Sequence, residues 1–229
     1  MQVPGIPVMV HIFDVDKTIV KNTSAWYFLR QALSERLIRF SQVRRLLMDC
    51  LKYAFGRPNM NFIEDAVKHL KGIEKKKLDQ AAQNCFERYI MPNIYADAAR
   101  LISEALGRNE RVVFATASLG TIIQPLEKFL VTDSSIASAL EFQDGKTTGR
   151  GSSLFGAKKK DAVQAWLEEN RLPPGEACFY SDSYTDIPLL EYCGRPVAVN
   201  PDRILRQEAK KRGWEILRFT KTLGKQCAN

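Results

Sequence analysis

The chain has 229 residues, 45% of them hydrophobic and 26% charged, the balance of a water-soluble globular protein with one good-sized core. No run approaches the ~18–20 uninterrupted apolar residues that a membrane span requires, and the opening Met-Gln-Val-Pro-Gly-Ile-Pro has neither the basic nor the apolar region of a secretory signal. Five scattered cysteines, none in a Cys-x-x-Cys pair, and only two histidines argue against a disulfide scaffold, a zinc framework and a histidine triad, and fit a cytoplasmic protein with reduced thiols. The formal charge of +8 is spread over local clusters at 36–45, 75–77, 158–160 and 206–212. It matches no nucleic-acid-binding module, which leaves anionic small molecules, a weak anionic-membrane contact or solvated helix faces as its meaning.

Val8, Val10, Ile12 and Phe13 read as a buried first strand running to near Thr18, with His11 packed inside it. Asp14 and Asp16 follow. Two carboxylates at the end of a buried strand repel each other and resist desolvation. A hard divalent cation resolves both difficulties, and ligand sites in open parallel sheets lie past the carboxyl ends of strands. The pair predicts a metal-dependent site with Asp14 as an activated carboxylate, against the plainer reading of a turn or helix cap.

Residues 22–91 read as four helices without a strand, which predicts a small helical bundle. The first is opened by Asn22, Thr23 and Ser24. The second spans Ser41–Phe55, the third runs from Phe62 to about Gly72, and the fourth spans Leu78–Tyr89 before Pro92. From 92 onward helices and strands alternate: helix Tyr95–Leu106, strand Arg111–Thr116, helix Thr121–Leu130, hairpin Ala139–Gly149 with Asp-Gly at its turn, helix Ala157–Glu169, strand Ala177–Ser181, helix Thr185–Tyr192, strand Pro196–Asn200, helix Asp202–Arg212 and strand Trp214–Leu217. The expected fold is α/β, a doubly wound parallel sheet of Rossmann-like type formed by 1–21 and 92–229, with 22–91 inserted as a lid over the site.

Three further signals are suited to phosphate. Thr116 ends a strand, and Ala117 and Ser118 expose backbone amides at what reads as a helix start, a natural anion site. Lys158, Lys159 and Lys160 open a helix against its dipole; Lys159 shares a stripe with Val163 and Trp166 and is the one expected to face inward. Asp182 and Asp186 bracket the turn after another strand.

The set Asp14-Val15-Asp16-Lys17-Thr18, Thr116-Ala117-Ser118, Lys159 and Ser181-Asp182-Ser183-Tyr184-Thr185-Asp186 resembles the four motifs of the haloacid dehalogenase-like phosphohydrolases. The helical insertion and the tail Pro196–Asp202 with Arg212-Gly213-Trp214 resemble the phosphoserine-phosphatase-like branch. The resemblance implies that Asp14 is the nucleophile that becomes an aspartyl-phosphate. It implies that the Asp16 side chain protonates the leaving oxygen and then activates water. Mg2+ would be held by Asp14, the Asp16 carbonyl and Asp182, and the phosphoryl oxygens by Thr116, Ala117, Ser118 and Lys159. Thr18, Ser183 and Asp186 would support the site, Thr18 by hydrogen bonding in the Asp16 loop and Asp186 by holding Lys159 or the metal shell. Lys17 and Ser181 depart from the pattern, standing where glycine is usual. The expected substrate is a small phosphomonoester such as phosphoserine, phosphoethanolamine or phosphocholine. A lipid phosphate at a membrane, met by Arg30, Arg36, Arg39, Arg44, Arg45 and Lys52, and a non-catalytic phosphate- or metal-binding regulator are the alternatives.

Overall fold

The computed structural model describes residues 9–38 and 67–224. Its strands are β1 (Val10–Phe13), β2 (Arg111–Leu119), β3 (Ser134–Gln143), β4 (Lys146–Ser152), β5 (Ala177–Ser181), β6 (Arg195–Val199) and β7 (Glu215–Leu217). They form one sheet in the order β4-β3-β2-β1-β5-β6-β7, parallel throughout except for the β3–β4 hairpin. Asp144 and Gly145, with φ of 50° and 74°, turn that hairpin, the left-handed pair that a two-residue turn of this hand requires.

Alternation along the strands sends successive side chains to opposite faces. Phe13, Phe114 and Tyr180 pack on one face under α1 (Ser24–Ser34), α2 (Lys75–Cys85), α3 (Ala96–Gly107) and α4 (Gly120–Leu130). Ile12, Val113, Ala115 and Phe179 pack on the other under α5 (Ala157–Glu169), α6 (Ile187–Tyr192) and α7 (Arg203–Arg212). Both faces are covered, so the central strands are mostly apolar. His11 is buried, stacked on Tyr180 and bonded to its hydroxyl at 3.0 Å and to Glu110 at 3.0 Å, a packed core histidine.

Several boundaries differ from expectation. β1 stops at Phe13 rather than near Thr18, because Lys17 takes a left-handed φ of 60° that no strand continues. β3 begins at Ser134, five residues early; Ser134 and Ser135 sit at half-buried positions and carry no hydrophobic signal. The fourth predicted helix is α-helical only to Cys85 and continues as a π turn over Phe86–Ile90. The predicted helix over 185–192 opens as a 3-10 turn, Tyr184–Asp186, before α6. The second predicted helix and the first part of the third, to residue 66, lie outside the described residues, with Arg39, Arg44, Arg45, Lys52, Cys50 and Cys227. Cys85, Cys178 and Cys193 are buried and free. Among the described residues no helix is long and apolar enough to cross a membrane.

The chain leaves the sheet domain and returns to it at adjacent points: Lys21 donates its N–H to the Asn93 carbonyl at 2.9 Å, and Val20 bridges Ile94. α1 and α2 share a core with α4, through Tyr27, Phe28 and Ala32 on α1 and Leu78, Ala81 and Cys85 on α2.

Candidate active site

Phe13 pairs in register with Phe114 of β2 and with Tyr180 of β5, so the residues that follow these three positions lie at one level of the sheet. Asp14 continues the ladder by one bond, its N–H to the Tyr180 carbonyl at 2.9 Å. That register brings Asp14, Thr116 and Asp182 to one end of the sheet from sequence positions up to 168 apart, and all three are buried.

Lys159 arrives from the opposite layer. It lies in the first turn of α5 beside the buried Val163 and Leu167, so the inward stripe runs 159, 163, 167, and Trp166, expected in it, is instead half-buried beneath the Arg111 guanidinium at 4.7 Å. Lys159 Nζ donates to Asp14 Oδ1 and to Asp186 Oδ2, each at 2.8 Å. Ser181, fully buried, donates to Asp186 Oδ2 at 2.7 Å, which gives the departure from glycine a purpose. Lys158 is exposed and Lys160 lies over the Tyr192 ring at 5.6 Å.

Asp16 is turned the other way. Its Oδ1 accepts the Ser24 N–H at 2.7 Å and its Oδ2 accepts the Ser118 hydroxyl at 3.0 Å. Thr18 takes no part in this: its hydroxyl is buried without a hydrogen-bond partner, so the expectation that it orients the Asp16 loop by hydrogen bonding is corrected, and Ser24, read in the sequence only as a helix-opening residue, donates to Asp16 instead. The segment after Thr116 also differs. β2 continues to Leu119 with a shift of register against β3, and α4 starts only at Gly120; the Ala117 and Ser118 amides are therefore not a helix start. Ser118 N–H donates to Thr116 Oγ1 at 3.1 Å, and the Ala117 carbonyl accepts from Ser138 at 2.6 Å. Ser183 caps the short turn after β5 by accepting from Thr185 N–H, and its carbonyl accepts the Asp186 N–H at 3.1 Å. Asp202, another residue missed, braces that turn: its N–H reaches the Asp182 carbonyl at 2.8 Å and its carboxylate takes the Tyr184 and Leu205 N–H groups.

Burial raises Asp14 to about 8; Lys159 pulls it down, and Asp186, Asp182 and Asp16 push it up. Burial also raises Asp182 to about 7, opposed chiefly by the charge of Lys17, and raises Asp16. Burial alone would lower Lys159, but Asp14 and Asp186 hold its ammonium above the ordinary lysine range. Four acids thus surround one buried ammonium, and Asp186 Oδ1 is buried without a hydrogen-bond partner. This donor set, oxygen-only and short of positive charge, fits a hard divalent cation. Among the described residues no three acidic, histidine or cysteine side chains form a closed metal cluster.

A pH dependence follows. A carboxyl with higher proton affinity folded than unfolded binds more protons in the native state, so its stabilisation is complete below the unfolded value and is lost as pH rises through the folded one. For Asp14 and Asp182 that window opens near the ordinary aspartate value of 3.8 and closes at about 7 to 8. The melting temperature of metal-stripped protein is expected to fall across this window, and added Mg2+ to raise it more at the alkaline end than at about pH 5, where the ligands are protonated. An equal Mg2+ effect at both ends in a thermal-shift series would contradict this reading.

The sequence profile of the haloacid dehalogenase-like hydrolases matches residues 12–191. Phosphoserine phosphatase SerB1 of Mycobacterium tuberculosis is 29% identical over 214 residues, covering 90% of this chain and 70% of that protein. Histidinol-phosphatase of Neisseria meningitidis is 29% identical over 219 residues, covering 91% of this chain and 97% of that protein. The crystal structure of a protein of unknown function from Bordetella pertussis superposes with a TM-score of 0.83 at 25% identity, covering 93% of this chain and 99% of that one.

Proposed function

This chain belongs to the haloacid dehalogenase-like hydrolases, and from that premise we propose that it is a Mg2+-dependent phosphatase of small phosphomonoesters working through an aspartyl-phosphate on Asp14. The observation that carries the proposal is the buried Lys159 ammonium bridging Asp14 and Asp186 at 2.8 Å each, at the end of a parallel sheet where Asp182 and Asp16 converge. The relatives named as phosphatases of phosphoserine and of histidinol phosphate support the class of substrate.

Asp14 attacks phosphorus in line while the ester oxygen departs. Lys159 and Thr116 hold the phosphoryl oxygens, and the Asp16 carboxyl protonates the leaving oxygen, then takes a proton from the water that cleaves the acyl phosphate. Asp186, backed by Ser181, fixes Lys159. Asp14, the Asp16 carbonyl and Asp182 would hold the cation, which supplies charge neutralisation between a carboxylate and a phosphate that otherwise repel. Residues 22–91 are proposed as the substrate-selecting cap; the adjacent exit and return at Lys21 and Asn93 support an inserted, hinged segment. A panel of phosphomonoesters with Mg2+, then with chelator, tests the proposal: chelator-sensitive release of phosphate is expected, and its absence on every ester would refute it.

Lys17 offers a separate check. It is exposed, and its ammonium acts on Asp182, so it competes with a cation for the same carboxylate. Lys17→Gln is expected to lower the Mg2+ concentration for half-maximal activity about two- to fivefold at low salt, the scale of an exposed charge pair, and less at high salt. An unchanged half-saturation would mean the ammonium does not act on the metal site.

A further inference from the structure

Asp16, Ser118 and Ser24 form a closed ring that neither the proposed reaction nor the family resemblance assigns. Ser118 has one hydroxyl proton and gives it to Asp16 Oδ2 at 3.0 Å. The 2.6 Å contact between the two serine hydroxyls must then be donated by Ser24. Ser24 also gives its backbone N–H to Asp16 Oδ1 at 2.7 Å. Ser24 stands at the start of α1, eight residues after Asp16 in the sequence, and Ser118 near the end of β2; both are buried, Ser24 completely. Alanine would fill either place without desolvating a hydroxyl, so packing does not account for two serines aimed at one carboxylate.

We infer that Ser24 and Ser118 are positioning residues that hold Asp16 for proton transfer, with donors on both of its oxygens. The inference rests on the reading of the chain as a phosphatase. As the P–O ester bond breaks and the bond from Asp14 to phosphorus forms, the proton on Asp16 passes to the departing oxygen and leaves a carboxylate behind. Two donors are already aimed at that carboxylate, so the charge that develops on it needs no reorganisation of its surroundings. In the second step the carboxylate takes a proton from the attacking water. The ring therefore matters most when the leaving oxygen is basic and needs the proton early. It matters least when the leaving group departs readily as an anion. Fixing Ser118 on Asp16 also distinguishes it from Thr116, the residue left to face the phosphoryl group.

The test compares kcat/KM for phenyl phosphate and p-nitrophenyl phosphate, which have nearly the same shape but leaving groups of different basicity. Ser118→Ala is expected to lose about tenfold more on phenyl phosphate than on p-nitrophenyl phosphate, a fraction of the full general-acid effect. Ser24→Ala keeps its N–H bond to Asp16 and is expected to show a smaller loss in the same direction. The double variant should fall short of the product of the two, as coupled residues do. Ser118→Thr, which keeps the hydroxyl, should restore the wild-type ratio. Melting temperatures of the purified variants accompany the kinetics, and Ser24→Ala alone carries the comparison if Ser118→Ala does not fold. Equal losses on both esters would place Ser118 on the phosphoryl group instead and overturn the inference, as would no loss on either. Wild-type protein that hydrolyses neither these two esters nor any other of the phosphomonoester panel with Mg2+ would instead remove the phosphatase reading, and this inference with it.

Discussion

Asp14→Asn is expected to remove turnover by about four orders of magnitude or more, the scale of losing a covalent nucleophile, while making the metal-free protein more stable rather than less. The two effects have one origin. The amide matches the carboxyl in shape and its oxygen still accepts from Lys159, so packing around Phe13 and Tyr180 is unchanged. What disappears is one of four acids crowded around a single ammonium. Burial and the other three carboxylates raise Asp14 to about 8, which means that the fold resists its charge. Relief of that repulsion on the order of 1 kcal/mol moves the melting temperature of a chain this size by about 2–4 °C. Function thus holds the site in an electrostatically uncomfortable state that a bound cation relieves. Phosphate release and thermal unfolding, measured on the same metal-stripped and Mg2+-loaded samples, check both halves. Activity within tenfold of wild type would exclude the aspartyl-phosphate route. A lower melting temperature without metal would mean that the Lys159 pairing outweighs the repulsion.

The parts of this site that were legible in the sequence are those with strong local patterns. Mostly apolar strands followed by acids mark Asp14 and Asp182, because a parallel sheet covered on both faces has few polar positions to hide them among. The inward direction of Lys159 follows from helix periodicity with Val163, although the stripe continues through Leu167. What escaped is whatever depends on register between distant segments. Ser24 looks like one more cap residue beside Asn22 and Thr23. Its partnership with Asp16 and Ser118 exists only because α1 starts against the end of β2. Thr18 looked like a hydrogen-bonding residue and is instead an unpartnered hydroxyl in a tight loop. That loop bends at Lys17, whose φ of 60° accounts for glycine being usual there. The continuation of β2 past Thr116 was hidden because Ala117 and Ser118 are small and suit a loop as well as an irregular strand end. Asp202 reads as a helix cap, which it is, and nothing local announces its second task of bracing the Asp182 turn.

Lys159→Ala carries the other large effect, and here activity and stability should fall together. The side chain is 5% exposed and supplies the ammonium to both Asp14 and Asp186. Breaking a buried ion pair by removing one partner costs about 3–5 kcal/mol, because the remaining charge is left uncompensated. At about 2–4 °C per kcal/mol for a chain this long, the melting temperature should drop on the order of 10 °C. Turnover should fall about 10^2–10^3-fold, the scale of removing one preorganised donor from a developing negative charge. The neighbours supply the control. Lys158 is exposed and Lys160 rests on the Tyr192 ring, so alanine at either should change turnover by less than about threefold, the range of a surface charge. Three lysines in one helical turn differ in effect only because the helix points one of them between two carboxylates, so equal losses at 158, 159 and 160 would contradict the geometry on which the proposed mechanism stands. Acid offers an internal test of the cause. Protonating Asp14 removes one of the charges that Lys159 compensates, so the stability gap between wild type and Lys159→Ala should narrow as pH falls through the raised value of Asp14, about 8. A gap independent of pH would assign the loss to packing of the lysine stem rather than to its charge.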